Sequence, residues 1–395
     1  MKFLPLVLFI LIAGANSCLN SGRNDPSATA APSITDSSGV TIVTNPVAQW
    51  TDETRWRISD TPVLAIGSLD GHSGELFKRI GGALRLPDGR IVAADETEVR
   101  VFDATGKFLF RHGREGQGPG EYEYIRAIME CHPHQFDVYD LSWKQSSYSP
   151  DGSFLETANV LPNGLRPYQL RCTKTGDFVA TLWPSQVMTK PIGLFDTDAP
   201  LLVSRGGQSA DTLMILPGDQ RLGHEHGSGP HPFGSRLALE TVEDGFVVST
   251  GAAYEYRYYD LDGRLRRVVR MPGRDRSIGQ ADIDAYARQE AEELPPEQFN
   301  ENFERYRTIE TTKQFPAYSE VKVDAHDNVW LRHHVRPRDS AQQWDICDPN
   351  GVFHGTVELE KDVEITQIGD DFVLGTRTND DGVPQIVMFE LERGT

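Results

Sequence analysis

The sequence LPDGRIVAAD at residues 86–95 predicts a tight turn followed by a β-strand. The proline and glycine in its first half are typical of a turn, because proline fixes φ and glycine tolerates the conformations that a chain reversal needs. The second half is a short apolar run that favours a buried strand. The same combination, a turn and then a β-rich run, recurs along the chain as far as residue 391.

Six turns of this kind lie between residues 80 and 391. They are Pro87-Asp88-Gly89, His132-Pro133-His134, Thr175-Gly176, Asp244-Gly245, Asp327-Asn328 and Gly369-Asp370. A second series of turns with the same period lies at residues 103–106, 149–152, 260–263 and 348–351, with a degenerate copy near 196–200. Two turns per unit predict a four-stranded antiparallel sheet, and one such sheet cannot bury both of its faces alone. The sequence therefore predicts an all-β fold, a six-bladed β-propeller around a central channel.

The two ends of the chain are predicted to meet in the last blade. Its third strand lies at residues 385–391, where the sequence almost ends, so a fourth strand must come from elsewhere. Two β-rich segments before blade 1, residues 40–44 and 57–66, can each supply it, and the resulting ladder protects the terminal strand from fraying. Residues 277–309 break the pattern, because their apolar side chains follow helical spacing. This predicts a helical insertion between blades 4 and 5.

The first residues are typical of an export signal. A basic start and an apolar run lead to small residues, which predicts a secretory signal peptide over residues 1–17. Two cleavage sites compete: Ala13-Gly14-Ala15 suits ordinary signal peptidase, whereas Ser17-Cys18 is similar to the end of a bacterial lipobox, in which Cys18 is lipidated. Residues 18–39 are rich in small and polar residues and predict a flexible tether, which leaves residues 40–395 for the propeller. We expect a lipoprotein of the cell envelope, on the outer-membrane or periplasmic side, with a secreted or periplasmic soluble protein as the alternative.

Charge and hydropathy restrict the partners. The chain has 395 residues, with 39 Lys and Arg against 58 Asp and Glu, which gives a formal net charge of −19. A charge of this sign repels phosphate backbones, so nucleic acid is not an expected partner. Beyond the first dozen residues no apolar run approaches the roughly 20 residues of a spanning helix. Membrane contact is therefore expected only through a lipid anchor.

Three cysteines follow the signal region. Cys131 and Cys172 lie at roughly equivalent positions, near the ends of the first strands of blades 2 and 3. A disulfide between them requires Cα atoms about 4.4 to 6.8 Å apart, and two buried free thiols are the alternative. Cys347 falls in a third strand, where we expect a buried, unpaired side chain.

Blade 1 carries a resemblance to a known repeat. It combines the turn and strand at residues 86–95 with Val99-Arg100-Val101-Phe102-Asp103 and Gly116-Gln117-Gly118-Pro119-Gly120-Glu121-Tyr122. This stretch of about 40 residues resembles the NHL repeat, and more closely the bacterial six-bladed β-propeller proteins of the cell envelope. Many of those proteins carry lipoprotein-type signals. The resemblance implies the fold and an envelope address, and it implies no particular activity.

One face of the predicted propeller collects the loops between blades and those between second and third strands, and sites usually lie on such a face. The glycine-rich loop at residues 116–122 shares a Gly-x-Gly-Pro pattern with residues 227–233, which favours a structural role in the turn between blades. The functional alternative makes its polar side chains ligand contacts. These are Arg114, Glu115, Gln117 and Glu121.

Two further clusters are candidates on that face. A dense basic run could hold a carboxylate, sulfate or phosphate through guanidinium hydrogen bonds, although a loop balanced by nearby acids is the alternative. It comprises Arg332, His333, His334, Arg336 and Arg338. A His-x-His-x4-His pattern could hold zinc if a suitable geometry formed, and incidental histidines in a solvated loop are the alternative. It comprises His224, His226 and His231.

Two functional classes remain open from the sequence. The first is a non-catalytic binding or scaffold propeller that presents its loop face to a protein, peptide or glycan in the envelope, with no cofactor. The second is a propeller enzyme of the lactonase, hydrolase or lyase type with a divalent metal in the central channel. No nucleophile elbow or other catalytic motif stands out in the sequence, so we favour the binding module.

Overall fold

The computed structural model describes residues 30–69, 74–132, 135–161, 165–189, 191–206, 212–225 and 227–394. Within them the chain folds as a six-bladed β-propeller, as predicted, with one mainly antiparallel sheet per blade arranged around a channel. The first strand of each sheet is the innermost. The predicted signal peptide, the lipidation candidate Cys18 and residues 18–29 of the predicted tether lie outside the described residues.

Blades 1 to 3 follow one another along the chain. The strands of blade 1 are Ile80–Arg85, Ile91–Asp95, Glu98–Phe102 and Phe108–His112. Those of blade 2 are Ile125–Met129, Phe136–Asp140, Lys144–Tyr148 and Phe154–Asn159. Those of blade 3 are Pro167–Cys172, Phe178–Leu182, Gly193–Ser204, Thr212–His224 and a fifth, Gly227–Pro230. A short helix, α1 (Ser185–Thr189), lies in the loop between the second and third strands of blade 3.

Blades 4 to 6 complete the ring. The strands of blade 4 are Ala238–Val242, Gly245–Ser249, Glu255–Asp260 and Leu265–Arg270. Those of blade 5 are Tyr318–Val323, Val329–His333, Ala341–Cys347 and Phe353–Glu360. Those of blade 6 are Glu364–Ile368, Phe372–Thr378 and Pro384–Glu392. Blade 6 packs against blade 1 through Leu374 and Ile386 on one side and Ala83 and Ile91 on the other, so the circle is closed.

The N-terminal segment closes the last blade. Of the two candidates, it is the segment at residues 57–66 that pairs with the third strand of blade 6, through Arg57–Ile58 and Leu64–Ile66. Val40–Thr44 lies elsewhere, because it pairs in parallel with the outer strand of blade 4. Ser33–Ser37 pairs with Val40–Thr44 as an exposed edge strand. This corrects the predicted end of the tether, since ordered structure begins before residue 40.

Between these two pairings the chain crosses the outer edge of blade 5. The Asn45 side chain donates to the Gly351 carbonyl oxygen at 2.9 Å and accepts from the Phe353 amide at 2.9 Å. The Trp50 amide donates to the His354 carbonyl at 2.8 Å. Residues 33–66 therefore form a belt over blades 4, 5 and 6.

The helical insertion lies between blades 4 and 5, as predicted. It consists of α2 (Gln280–Glu292), a 3-10 turn at Pro296–Gln298 and α3 (Phe299–Arg307). Phe233 packs against Tyr286 of α2 with ring centroids 5.2 Å apart, so the insertion is fixed to the loop that leads into blade 4. No helix in the described part of the chain is long and apolar enough to cross a membrane.

The core consists of the apolar faces of neighbouring blades, which pack against each other. Trp330 and Trp344, both fully buried, belong to the cluster between blades 5 and 6. Cys131 and Cys172 form a disulfide with Cα atoms 5.4 Å apart, which ties the inner strands of blades 2 and 3. Cys347 is buried and unpaired.

Candidate functional site

The loop face of the molecule is defined by strand direction. In each blade the first strand begins on this face, and the loop between the second and third strands returns to it. A central channel of about 1450 Å³ runs between the inner strands, and all six blades contribute to its wall. The loop face thus has a channel mouth at its centre.

A second cavity, of about 420 Å³, opens on the loop face at the boundary of blades 4 and 5. Four of its lining side chains come from the predicted basic run. The others come from the loop of blade 4, from the two ends of the insertion and from blade 5, and they include the carboxylates of Asp275, Asp339 and Glu358. We call it the arginine cavity. Its basic and aromatic lining residues are Tyr254, Arg274, Arg276, Phe315, His333, His334, Arg336 and Arg338.

Backbone carbonyls hold two of its guanidinium groups. Arg276 donates to the carbonyl oxygens of Phe315 and Ala252, each at 3.1 Å. Arg336 donates to the carbonyl of Asp275 at 2.7 Å and lies over the ring of Phe315 with its Cζ 5.0 Å from the centroid. Neither guanidinium forms an ion pair with a carboxylate in the part of the chain that the structure describes. Both guanidinium groups are therefore fixed in place without a direct carboxylate contact among the described residues, although Asp275, Asp339 and Glu358 also line the cavity. Their unused N–H donors can receive an anion.

A buried carboxylate, Asp345, lies below the cavity. Its Oδ2 accepts a hydrogen bond from the Tyr318 hydroxyl at 2.8 Å and lies 2.9 Å from Nε2 of His333. Its Oδ1 accepts from Thr356 at 2.6 Å and pairs with Arg274 at 3.2 Å. Burial opposes ionisation, but the contact with His333 and the other donors outweigh it and hold the pKa of Asp345 below its usual range. Asp345 is thus charged and fixes the orientation of His333.

His334 is kept neutral. Burial, together with the positive charges of Arg236, Arg336 and Arg332, lowers its pKa to about 4. Its ring stacks on Phe315 with centroids 4.8 Å apart. Three arginines that depress one pKa indicate a positive local potential in a strongly acidic chain.

Two members of the basic run have structural partners. Arg338 pairs with Asp282 at 2.7 Å, and the other carboxylate oxygen of Asp282 accepts from the Gly279 amide at the start of α2. Arg332 lies outside the cavity, where it pairs with Glu320 at 3.1 Å and Glu364 at 3.7 Å. Arg338 therefore anchors the insertion, and Arg332 links blades 5 and 6.

The glycine-rich loop between blades 1 and 2 lies half a turn of the ring away from the arginine cavity. Its polar side chains contact one another: Arg114 pairs with Glu121 at 2.6 Å, and Gln117 donates to Glu123 at 2.8 Å. The backbones of Glu115 and Tyr122 form an isolated β-bridge. The loop needs a glycine at position 113, because φ is 86° and a Cβ there would lie 2.8 Å from the Thr97 carbonyl. The structure does not bring this loop together with the basic run.

The histidine pattern does not form a zinc site among the residues that can be described. His224 pairs with Gly227 in a hairpin. The His231 amide donates to the carbonyl of Gln220. Gln220 and His224 are four residues apart, which is about 13 Å along the strand. Both nitrogens of the His231 ring are occupied, by the Glu310 carbonyl and the Phe233 amide. His226 lies outside the described residues. Within those residues no group of three or more His, Cys, Asp or Glu side chains is arranged to hold a metal.

Sequence reasoning missed most of the other lining residues of the cavity, including four that are basic or aromatic. Arg274 and Arg276 precede the insertion, and Phe315 follows it. Tyr254 lies in the loop between the second and third strands of blade 4. The Arg-x-Arg pair at 274 and 276 was visible as a second basic cluster in an acidic chain. Its closeness to Arg336 depends on the packing of blade 4 against blade 5, which no local pattern encodes.

Comparisons with known proteins agree on the fold. Residues 70–161 match the sequence profile of a family, DUF5128, described as a 6-bladed beta-propeller. None of the curated proteins matches the chain significantly. The finer resemblance to the NHL repeat stays a prediction.

Three solved structures illustrate the similarity. A member of the DUF4221 family from Bacteroides vulgatus has 9% identity and a TM-score of 0.50, with 87% of this chain and 100% of that chain covered. A protein of Bacteroides fragilis, named as a candidate exported protein, has 14% identity and a TM-score of 0.49, with 90% and 100% covered. Streptogramin B lyase has 10% identity and a TM-score of 0.37, with 87% and 99% covered. At 9% identity the first likeness shows the fold alone.

Proposed function

We propose that this protein is an exported, envelope-tethered binding module, and that the arginine cavity on its loop face holds an anionic group of its ligand. The observation that carries the proposal is the pair of guanidinium groups, Arg276 and Arg336, fixed by backbone carbonyls without a carboxylate partner among the described residues. A carboxylate, sulfate or phosphate on a glycan, peptide or protein would supply the missing charge. Burial is the main cause of the lowered pKa of His334, and the charges of Arg236, Arg336 and Arg332 add to it, which supports the same ligand chemistry.

Export is supported by two features. The predicted signal peptide is the first, with lipidation at Cys18 or cleavage after Ala15 as the alternatives. The disulfide between Cys131 and Cys172 is the second, because such bonds persist in oxidising compartments and are rare in the cytosol. A short tether before residue 33 would place the ordered propeller close to the membrane.

The proposal is tested by titrating the mature protein with glucuronate, citrate and sulfate in a calorimeter. We expect at least one of these anions to bind, and Arg336→Gln to weaken that binding about tenfold or more, because a hydrogen bond to a charged group is worth about 1.5–3 kcal/mol. The matched control is Arg205→Gln, which removes one charge from an exposed pair with Asp262 on the opposite face. Equal losses in the two variants, or no binding of any of the anions, would contradict the proposal.

A further inference from the structure

Four arginines recur near the same end of the inner strands. In blades 1 to 4, an exposed arginine lies within two residues of the loop-face end of the inner strand. Arg79 and Arg126 line the channel, and Arg166 and Arg236 lie at the same ends of the inner strands of blades 3 and 4. We call them the arginine ring, which consists of Arg79, Arg126, Arg166 and Arg236.

The charges of the ring are not neutralised within the molecule. None of its four guanidinium groups forms an ion pair with a carboxylate of the described residues. Two of them lie over aromatic rings instead: the Cζ of Arg79 is 5.4 Å from the centroid of Tyr124, and that of Arg126 is 5.6 Å from that of Trp143. An aromatic face holds a guanidinium while leaving its N–H donors free at the edge. The ring is therefore positioned to receive oxyanions.

The arginine ring adjoins the arginine cavity. Arg236 belongs to the ring, and its backbone nitrogen lies beside Gly251, whose carbonyl accepts a hydrogen bond from Arg276 of the cavity at 3.4 Å. Positive charge thus continues from the boundary of blades 4 and 5 around the mouth to blade 1. A ligand with a single anionic group would use only part of this surface.

Aspartates recur at the opposite mouth. The turns between first and second strands carry an aspartate in five of the six blades: Asp88, Asp177, Asp244, Asp327 and Asp370. Asp88 pairs with Arg90, and Lys174 shares a turn with Asp177, so these carboxylates are partly balanced. They still disfavour an anion at this mouth relative to one lined by unpaired arginines.

We propose that the arginine ring and the arginine cavity together bind an extended acidic glycan, an oligosaccharide that carries repeated carboxylates. This inference rests on the proposed function and assigns its ligand class. Spaced cations match spaced carboxylates, and the nearby aromatic side chains offer flat faces for the C–H faces of sugar rings. Trp183 is 49% exposed and packs edge-on against Tyr168 near the mouth.

A peptide fits the same surface less well. Extended peptides are usually held by adding a strand to a free sheet edge. The free edges belong to the inner strands, which run along the channel axis, and to the outer strands on the rim of the molecule. The arginine ring follows neither kind of edge. A sugar chain needs no such edge, because its carboxylates and ring faces make the contacts.

The test compares chain lengths. The mature protein is titrated with mono-, tri- and hexasaccharides of galacturonate and of mannuronate. We expect affinity for at least one series to rise tenfold or more from the monomer to the hexamer, because linked contacts raise the effective concentration of the later ones, and we expect added salt to weaken it. The double variant Arg79→Gln and Arg126→Gln should weaken the hexamer about tenfold and leave the monomer unchanged.

The control removes the same charge elsewhere, with Arg111→Gln and Arg205→Gln, whose side chains are each 58% exposed away from the channel mouth. Binding that does not depend on chain length, or equal effects of the two double variants, would overturn the glycan inference. The proposed function would still stand if Arg336→Gln weakened binding of the monomer. Failure of both galacturonate and mannuronate to bind would also overturn it. Polyglutamate that bound as tightly as the hexamers would show that the ligand class is an acidic peptide instead.

Discussion

At the scale of single residues, the chemistry of each candidate side chain is set by its neighbours. His333 and His334 are adjacent in sequence, yet His333 faces the ionised Asp345 whereas His334 is stacked on Phe315 among arginines. Strand alternation sends neighbouring side chains in different directions, so two identical residues acquire different environments. Burial and the nearby arginines lower the pKa of His334 to about 4.

The low pKa of His334 predicts a pH dependence of stability. An unfolded histidine titrates near 6.5, so the folded state binds fewer protons than the unfolded state between about pH 6.5 and 4. The stabilisation is complete above pH 6.5 and is lost as the pH falls towards 4, by on the order of 3 kcal/mol. Urea denaturation across this range should show that His334→Phe, which keeps an aromatic ring on Phe315, reduces the slope of the free energy of unfolding against pH.

His326→Gln is the control for this experiment. His326 is exposed and pairs with Asp370 at 3.1 Å, so its replacement should not reduce the slope. If His334→Phe retained the full slope of the parent protein, then His334 would not be the group that titrates.

At the scale of elements, the N-terminal strands have unequal roles. Leu64–Ile66 completes blade 6 and places Ile66, 3% exposed, in the core shared with blade 1. Ser33–Ser37 adds to the rim of blade 4 as an edge strand, where Ile34 is 60% exposed. Leu64–Ile66 closes the ring, whereas Ser33–Ser37 only covers the outside of one blade.

Matched isoleucine substitutions test this difference. We expect Ile66→Ala to lower the free energy of unfolding by about 2–5 kcal/mol, as for other large-to-small changes in a packed core. Ile34→Ala should change it by less than about 0.5 kcal/mol, because the side chain is exposed. Chemical denaturation of both variants would measure the contrast, and similar losses would mean that the edge strand is as important to the ring as the closing strand.

At the scale of the whole molecule, polar links join the inner strands around the channel. Arg171 of blade 3 pairs with Glu240 of blade 4 at 3.0 Å, and the Arg85 amide of blade 1 donates to Gln367 of blade 6 at 2.7 Å. Between blades 2 and 3 the link is covalent, through the disulfide of Cys131. These links lie towards the ends of the inner strands that are opposite the loop face, so they hold that end of the channel in shape.

Removal of the disulfide should destabilise the whole ring. Its half-cystines are 41 residues apart, and closing a loop of that length is worth about 4 kcal/mol in the chain-entropy view. We expect Cys131→Ser with Cys172→Ser to lower the melting temperature measured by differential scanning calorimetry. A reducing agent should lower the melting temperature of the parent protein by a similar amount and leave that of the double variant unchanged. If the double variant melted at the same temperature as the parent protein, the disulfide would contribute little to stability.

The sequence by itself determined the architecture, because turns and alternating apolar runs are local signals that repeat six times. It located the helical insertion by a change of period and offered two closing strands without choosing between them. Only the tertiary structure made that choice and placed Val40–Thr44 on blade 4. It alone gathered Arg276 and Arg336 into one cavity and left Arg114 half a turn away, because such proximity depends on how blades pack across the ring and not on the spacing of residues along the chain.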